Sequence, residues 1–474
     1  MLKLIQNEYS KIFHKVSSYV MLGIWMFILF AIPVGGKIIS SLSNSHTYYG
    51  SIENELAYAK ENEDQDPIYV QRLEKAQELG LTLEDLWGDG SWKGTALSDA
   101  FNYISEIYYD EQGEGELTEK QKTQMQEWAD EILTSVEQND WKVYYQKLQN
   151  IAGENTMLPE ESKTILKDYY AYLIDENISP EDDKNSLQVA KYYEMQKPSY
   201  DEMVAAKEKD EAYNEEEFKS LQKTVLTSEY AMVHHTMDMI YENSYETSSI
   251  SNKYVYNGKT MNAMENGTNA FMVIFILLMV VAGTMISNEY SQGTIKFLLI
   301  NPVKRQKIFW SKFITVITLA LAATLVSFLL EMFWSGIVYG FDGLGAPLLV
   351  VQDNAAVSKS GILFMFGLYM AQFLQAVIAV TISFALSALF RNSGIAIALG
   401  IIVYAAGGTI SMIASMMSLD FVRYTIFANM NVPNILAGIY PFEGMTTGFS
   451  VAVIAVHIFL LLFIARDAFV RKNV

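Results

Sequence analysis

His234, His235 and Asp238 come nearest to a metal constellation in this chain, because His235 and Asp238 stand three apart and would share one helical face. The spacing matches no complete site, and no histidine lies between Tyr241 and Thr268 to complete one, so a solvated helix is the expected reading. With no cysteine there are no disulfides and no thiolate metal sites. No G-x-x-x-x-G-K-[ST] phosphate loop occurs, so ATP chemistry would have to come from another chain. The chain is therefore expected to be no enzyme and to hold no metal or cofactor of its own. The polar residues worth weighing sit instead in apolar surroundings: Glu331, Gln372, Gln375 and His457 interrupt long hydrophobic runs and are candidates for a substrate pathway. Each has a plainer reading. Glu331 would be solvated among headgroups or paired with Lys37, and the other three would be hydrogen-bonded between helices.

The runs that carry these residues are long enough to cross a bilayer of about 30 Å at about 1.5 Å rise per residue. They are Ser18 to Val34, Asn269 to Ile286, Phe313 to Tyr339, Ile362 to Leu389, Gly394 to Met417 and Gly448 to Ile464. Six crossings put both termini on one side. Lys3, Lys11 and Lys15, then Lys304, Arg305, Lys307 and Lys312, then Arg391, and finally Arg466, Arg471 and Lys472 all fall on that side, which the positive-inside rule makes the cytoplasm. On this count Glu331 lies about two thirds of the way across the third run, at roughly 27 Å of rise. Before the first run, Leu2, Ile5, Tyr9, Ile12, Phe13 and Val16 recur at helical spacing, with Glu8, Lys11 and Lys15 on another face. That pattern is an interfacial helix or simply a polar start to the first span.

The net charge of −20 is not spread evenly: Leu42 to Thr268 holds 19 Lys and Arg against 46 Asp and Glu, and the rest of the chain 15 against 8. Such acidity excludes nucleic acid as a partner, since phosphate binding needs clustered basic side chains. The acidic block is rich in Tyr, Glu and Lys and reads as helices. One stripe runs through Met125, Trp128, Ile132, Val136, Tyr144, Leu148 and Ile151, broken near Asn139. Further helices are expected over Glu161 to Asp175 and Ser199 to about Met239, with Pro180 and Pro198 as punctuation and a turn over Gly88 to Gly94. The division expected is residues 1–41 for the interfacial helix and first span, 42–268 for an extracellular domain, and 269–474 for the remaining spans. Small residues in the fifth run, Gly394, Gly400, Gly407 and Gly408 among alanines, suit close helix packing, within the chain or with a second copy. Residues Ser418 to Met445 suit a short re-entrant element.

Between the second and third runs the chain reads Ser287-Asn-Glu289-Tyr-Ser-Gln-Gly293-Thr294, then Leu298, Pro302, Arg305 and Lys312. A polar start, a short apolar helix, a proline break and a basic restart make a helical hairpin at the inner membrane face over 287–312, with too few apolar residues to span. This ordered set resembles the first cytoplasmic loop of the type-2 ABC exporter permeases (ABC-2 family), over Glu289, Gly293, Thr294, Leu298, Pro302, Arg305 and Lys312. The resemblance implies a coupling helix resting on a separate ATPase subunit, with Glu289 and Arg305 fixing the loop by polar contacts, Leu298 packing into the ATPase groove and Gly293 allowing close backbone approach. It also implies two permease copies, paired through the first and fifth spans, and two ATPases that bind the ATP and Mg. It says little about the large acidic insert.

Together these readings give an all-α membrane protein with six transmembrane helices, cytoplasmic termini and a mainly helical extracellular domain, located in a bacterial plasma membrane. The expected function is the permease subunit of an ABC exporter, with antimicrobial peptides, drugs or lipids as open substrate classes. The alternative is a membrane-anchored sensor whose extracellular domain binds a ligand.

Overall fold

The computed structural model describes residues 1–45, 50–62, 66–87, 91–114, 117–181, 184–236, 254–256, 258–293, 303–345, 347–352, 354–436 and 439–471. It divides into a membrane unit, Met1–Ser40 with Glu246–Leu348 and Lys359–Val474, and a helical unit, Ser41–Tyr245 with Leu349–Ser358.

The chain opens with α1 (Leu2–Phe13), whose Glu8 and Ile12 are buried while Leu2 is exposed. The first span, α2 (Val16–Ser45), runs through Pro33 rather than ending there. A proline removes one helical hydrogen bond, here the one to the Leu29 carbonyl, which a membrane helix tolerates; the Tyr339 hydroxyl separately donates to the Pro33 carbonyl at 3.1 Å.

The helical unit is built from α3 (Ile52–Glu61), α4 (Pro67–Glu78), α5 (Leu83–Trp87), α6 (Trp92–Tyr109), α7 (Glu119–Glu137), α8 (Trp141–Glu154), α9 (Glu160–Asp175), α10 (Lys184–Glu208) and α11 (Glu215–His234). Its helix starts carry the side chains that satisfy orphan amides. Ser51 caps α3, Asp66 before Pro67 caps α4, Thr118 and Gln121 form a capping box on α7, and Asp140 caps α8. The break expected near Asn139 falls there, with that residue at φ 55°. Pro198, expected to punctuate, lies inside α10. Tyr193 and Tyr200, both buried, hold the helix on either side of it, and the chain turns instead at Asp210, φ 58°. The core is aromatic: Trp92 stacks on Tyr144, and Tyr145, Tyr169, Tyr170 and Tyr193 are fully buried around them. Asp99 accepts the Tyr144 hydroxyl at 2.5 Å and pairs with Lys191. Gly94 is required by close approach, because a Cβ there would lie 1.7 Å from the Asp85 carbonyl oxygen.

In the membrane unit a short strand, β1 (Tyr254–Tyr256), precedes α12 (Gly258–Gly267), which passes through a 3₁₀ turn into α13 (Phe271–Thr284). After α14 (Ser287–Ser291) comes α15 (Arg305–Tyr339); the hairpin that follows, β2 (Pro347–Gln352) and β3 (Ala355–Ser360), turned at Asn354 with φ 61°, belongs for the most part to the helical unit. The chain finishes with α16 (Gly361–Phe390), α17 (Ser393–Met416), short 3₁₀ turns, α18 (Val432–Leu436) and α19 (Thr447–Arg471). Among the described residues six helices are long and apolar enough to cross a membrane, over Val16–Ile39, Thr260–Thr284, Arg305–Tyr339, Gly361–Phe390, Ser393–Met416 and Thr447–Arg471. The third begins at Arg305, ahead of the apolar run from Phe313. The central helix is α16, whose small residues Ala376, Ala379, Ser383, Ala385 and Ala388 let α13, α15, α17 and α19 pack around it.

Candidate functional site

Two charged residues of the loop motif, Glu289 and Lys312, meet in one buried cluster. Lys312 is 1% exposed, and its Nζ donates to Glu289 Oε1 at 3.0 Å and to Glu8 Oε2 at 2.7 Å. Lys11 closes the ring, with its Nζ 2.8 Å from Glu289 Oε1 and 3.4 Å from Glu8 Oε1. Burial alone would depress the Lys11 ammonium, but the hydrogen bond to Glu289 and the charges of Glu8 and Glu289 outweigh it and raise Lys11 above its ordinary value. Three elements are thereby joined: α1 supplies Glu8 and Lys11, α14 supplies Glu289 and α15 supplies Lys312. The Tyr9 hydroxyl adds a bond to Thr318 Oγ1 at 2.8 Å. Sequence spacing alone places Glu8 on a polar face of α1 and gives it no partner. The signal that points to it is a lysine at the start of a span, which needs a nearby carboxylate if it is to be buried.

The turn into α14 is held separately. Ser387 Oγ of α16 accepts the backbone amides of Ile286 and Ser287 at 3.2 and 3.0 Å, and the Arg391 guanidinium lies over the Tyr290 ring at 4.4 Å. Arg391 caps α16 in the left-handed region at φ 55°. Arg305 donates to the Val470 carbonyl at 3.3 Å, tying the start of α15 to the end of α19. Gly293 adopts φ +69°, and among the described residues a side chain built there would meet open space. Within this chain its freedom serves the turn rather than a close approach. Thr294, Leu298 and Pro302 lie outside the described residues.

The intramembrane candidates separate. Gln372 and Gln375 line a cleft of about 810 Å³ between α13, α16 and α17, bordered by α12 and by residues within Phe427–Ile435 and Ile439–Pro441. Gln375 Nε2 donates to the Tyr404 hydroxyl of α17 at 2.7 Å, the interhelical bond expected of it. Gln372, at 9% exposure, makes no such bond among the described residues. Glu331 is fully buried, neither solvated nor paired with Lys37, whose amine donates instead to the Val338 carbonyl at 2.6 Å. Both Glu331 carboxyl oxygens lack a hydrogen-bond partner among the described residues. A methyl placed on Gly267 would lie 2.6 Å from Glu331 Cδ and 2.8 Å from the Tyr369 hydroxyl, so that glycine admits both groups. His457 bonds the Val453 carbonyl of its own helix at 2.8 Å and does not line the cleft. The small-residue stripe of α17 is largely used within the chain. Gly400 packs on Ser383, and Gly407 on Met430 and Phe427, whereas among the described residues nothing lies within 4 Å of a Cβ built on Gly408. Residues Ser418 to Met445, read as re-entrant, pack through Ile426, Met430 and Val432 against α16 and α19. His235 stacks on Tyr172, the His234 ring lies tilted against Tyr230, and Asp238 lies outside the described residues.

The chain is similar to two proteins of Bacillus subtilis (strain 168). One is the uncharacterized protein YhcI, 28% identical over 211 residues that make up 44% of this chain and 67% of that protein. The other is the uncharacterized membrane protein YdbK, 29% identical over 199 residues, 42% of this chain and 76% of that protein. No solved structure matches significantly. With six apolar helices and a relative named as a membrane protein, this is a multi-pass membrane protein. A family model matches residues 224–474, which hold Glu289, Lys312 and the whole cleft, and the chain therefore belongs to the family described as "Protein of unknown function (DUF2705)".

Proposed function

We propose that this protein is the transmembrane permease subunit of an ATP-binding-cassette exporter, driven by a separate cytoplasmic ATPase. The observation that carries the reading is the buried ring of Glu8, Lys11, Glu289 and Lys312. Two residues of the loop motif are locked there to the helix before the first span, so a push on the loop is passed as a rigid unit to α1 and α15. Packed elements of this kind switch between discrete arrangements, which is what ATP-driven closure of a partner would bias. In this reading the basic ends of the spans face the cytoplasm, the acidic helical unit lies outside the cell, and the membrane is a bacterial plasma membrane. A second permease copy completes the assembly through the first and fifth spans, whose apolar residues Val20, Ile24, Phe27, Ile402 and Ile413 are left uncovered. The cargo classes open to it are peptides, drugs and lipids.

The test is co-purification with the ATPase encoded beside it. Arg305→Ala and Glu289→Ala should leave the permease in the membrane and cut ATPase recovery or transport several-fold, since each removes a charged hydrogen-bonding group worth about 1.5–3 kcal/mol when well paired. Lys472→Ala should change little. If both loop variants keep full ATPase recovery and full transport, the exporter reading fails, and ligand binding by the acidic unit in a sensor becomes the better account.

A further inference from the structure

The cleft beside Gln372 has a chemistry that chooses among ligands. Its lining is rich in carboxamides, including Asn266, Asn269, Asn431 and Asn434 besides the two glutamines. Two of these groups are unmet. Gln372 lines the cleft and makes no hydrogen bond among the described residues, and Gln375, whose Nε2 is engaged by Tyr404, has an Oε1 with no partner among them. Carboxamides without a protein partner in an otherwise apolar cleft leave hydrogen-bonding capacity that a ligand bearing complementary N–H and C=O groups would fill. The charge of the lining narrows the class. Glu265 is its ionic side chain, and no Lys, Arg or His of the described residues borders the cleft. A phosphate-bearing ligand would meet a carboxylate and find no cation, whereas a neutral or cationic one meets no repulsion. Between the amides stand Met272, Met279, Met412, Met416 and Met430, flexible apolar side chains that adapt to varied shapes.

We propose that this cleft binds an apolar peptide, neutral or cationic, through the peptide's own backbone amides, with Gln372 and Gln375 as the recognition residues. The proposal deepens the exporter reading, in which that peptide is the cargo, but the binding step needs no ATPase.

The experiment uses the purified full chain in nanodiscs and, as probe, a dansylated, C-terminally amidated tetrapeptide of leucine, alanine and lysine, followed by fluorescence anisotropy. Saturable binding is expected. Gln372→Leu and Gln375→Leu, which keep side-chain volume, should each weaken it about two- to tenfold, the range of one net hydrogen bond. Ala405→Trp, which fills the cleft, should abolish it, and a dansyl-free phosphatidic acid should not displace the probe. Absence of binding, indifference to both leucine variants, or displacement by phosphatidic acid would each overturn the proposal. Peptide binding without ATPase co-purification would sink the exporter reading and leave the cleft assignment standing. ATPase co-purification without peptide binding would do the reverse.

Discussion

Lys312→Met removes the most buried charge of the ring. Its ammonium is 1% exposed and bonded to two carboxylates at 2.7 and 3.0 Å, whose side chains are themselves only 7% and 10% exposed. Wild type balances two negative against two positive charges. The variant leaves both carboxylates sharing Lys11, whose side chain is 42% exposed. Truncating one partner of a buried pair costs about 3–5 kcal/mol, and because Lys11 still bridges Glu8 and Glu289 the lower end applies, about 3 kcal/mol. For a unit of this size about 1 kcal/mol moves the melting midpoint by about 2–4 °C, so a fall of about 6–12 °C is expected. Tryptophan emission during thermal scans of the detergent-solubilised protein reads it directly. The double variant Glu289→Gln with Lys312→Met restores neutrality, leaving Glu8 with Lys11, and should lose at least about 1.5 kcal/mol less than the two single losses added together. A midpoint for Lys312→Met within about 1 °C of wild type, or strict additivity in the double variant, would refute the ring as a coupled network.

Topology and pH provide further checks. In intact cells a cysteine at the exposed position Gln112 should react with an impermeant thiol reagent and one at the exposed position Gln306 should not; labelling at Gln306 alone reverses the orientation. In the helical unit, burial pushes the Glu194 carboxyl up, with the Asn155 amide at 3.3 Å opposing it. Its contribution to stability is complete below the unfolded carboxyl value and is lost as pH rises through the raised folded value. Glu194→Gln should therefore raise the unit's melting midpoint at neutral pH and leave it unchanged in acid, and a midpoint lowered equally at both would contradict the assignment.

Much of this protein is legible in the chain because membranes impose a coarse rule: a helix of enough apolar residues spans, whatever its neighbours. The six spans, the amphipathic α1 and the helices bounded by Thr118, Asn139 and Asp140 follow from residue type and period alone, since capping and burial act over a few residues. What needed the tertiary structure was every choice between partners. Sequence placed Glu8 on a polar face, but only the packing of α1 against α15 turns it toward Lys312. Pro198 reads as a break, yet tertiary burial of Tyr193 and Tyr200 outweighs the lost backbone bond. Glu331 and Lys37 are opposite charges near the ends of two spans, and the helix rotations, set by packing across dozens of residues, send one under Gly267 and Tyr369 and the other to a backbone carbonyl. Gln372 and Gln375 look equivalent along one helix. The space between α13 and α17, which no local pattern encodes, puts both at one cleft and gives Tyr404 to Gln375 only.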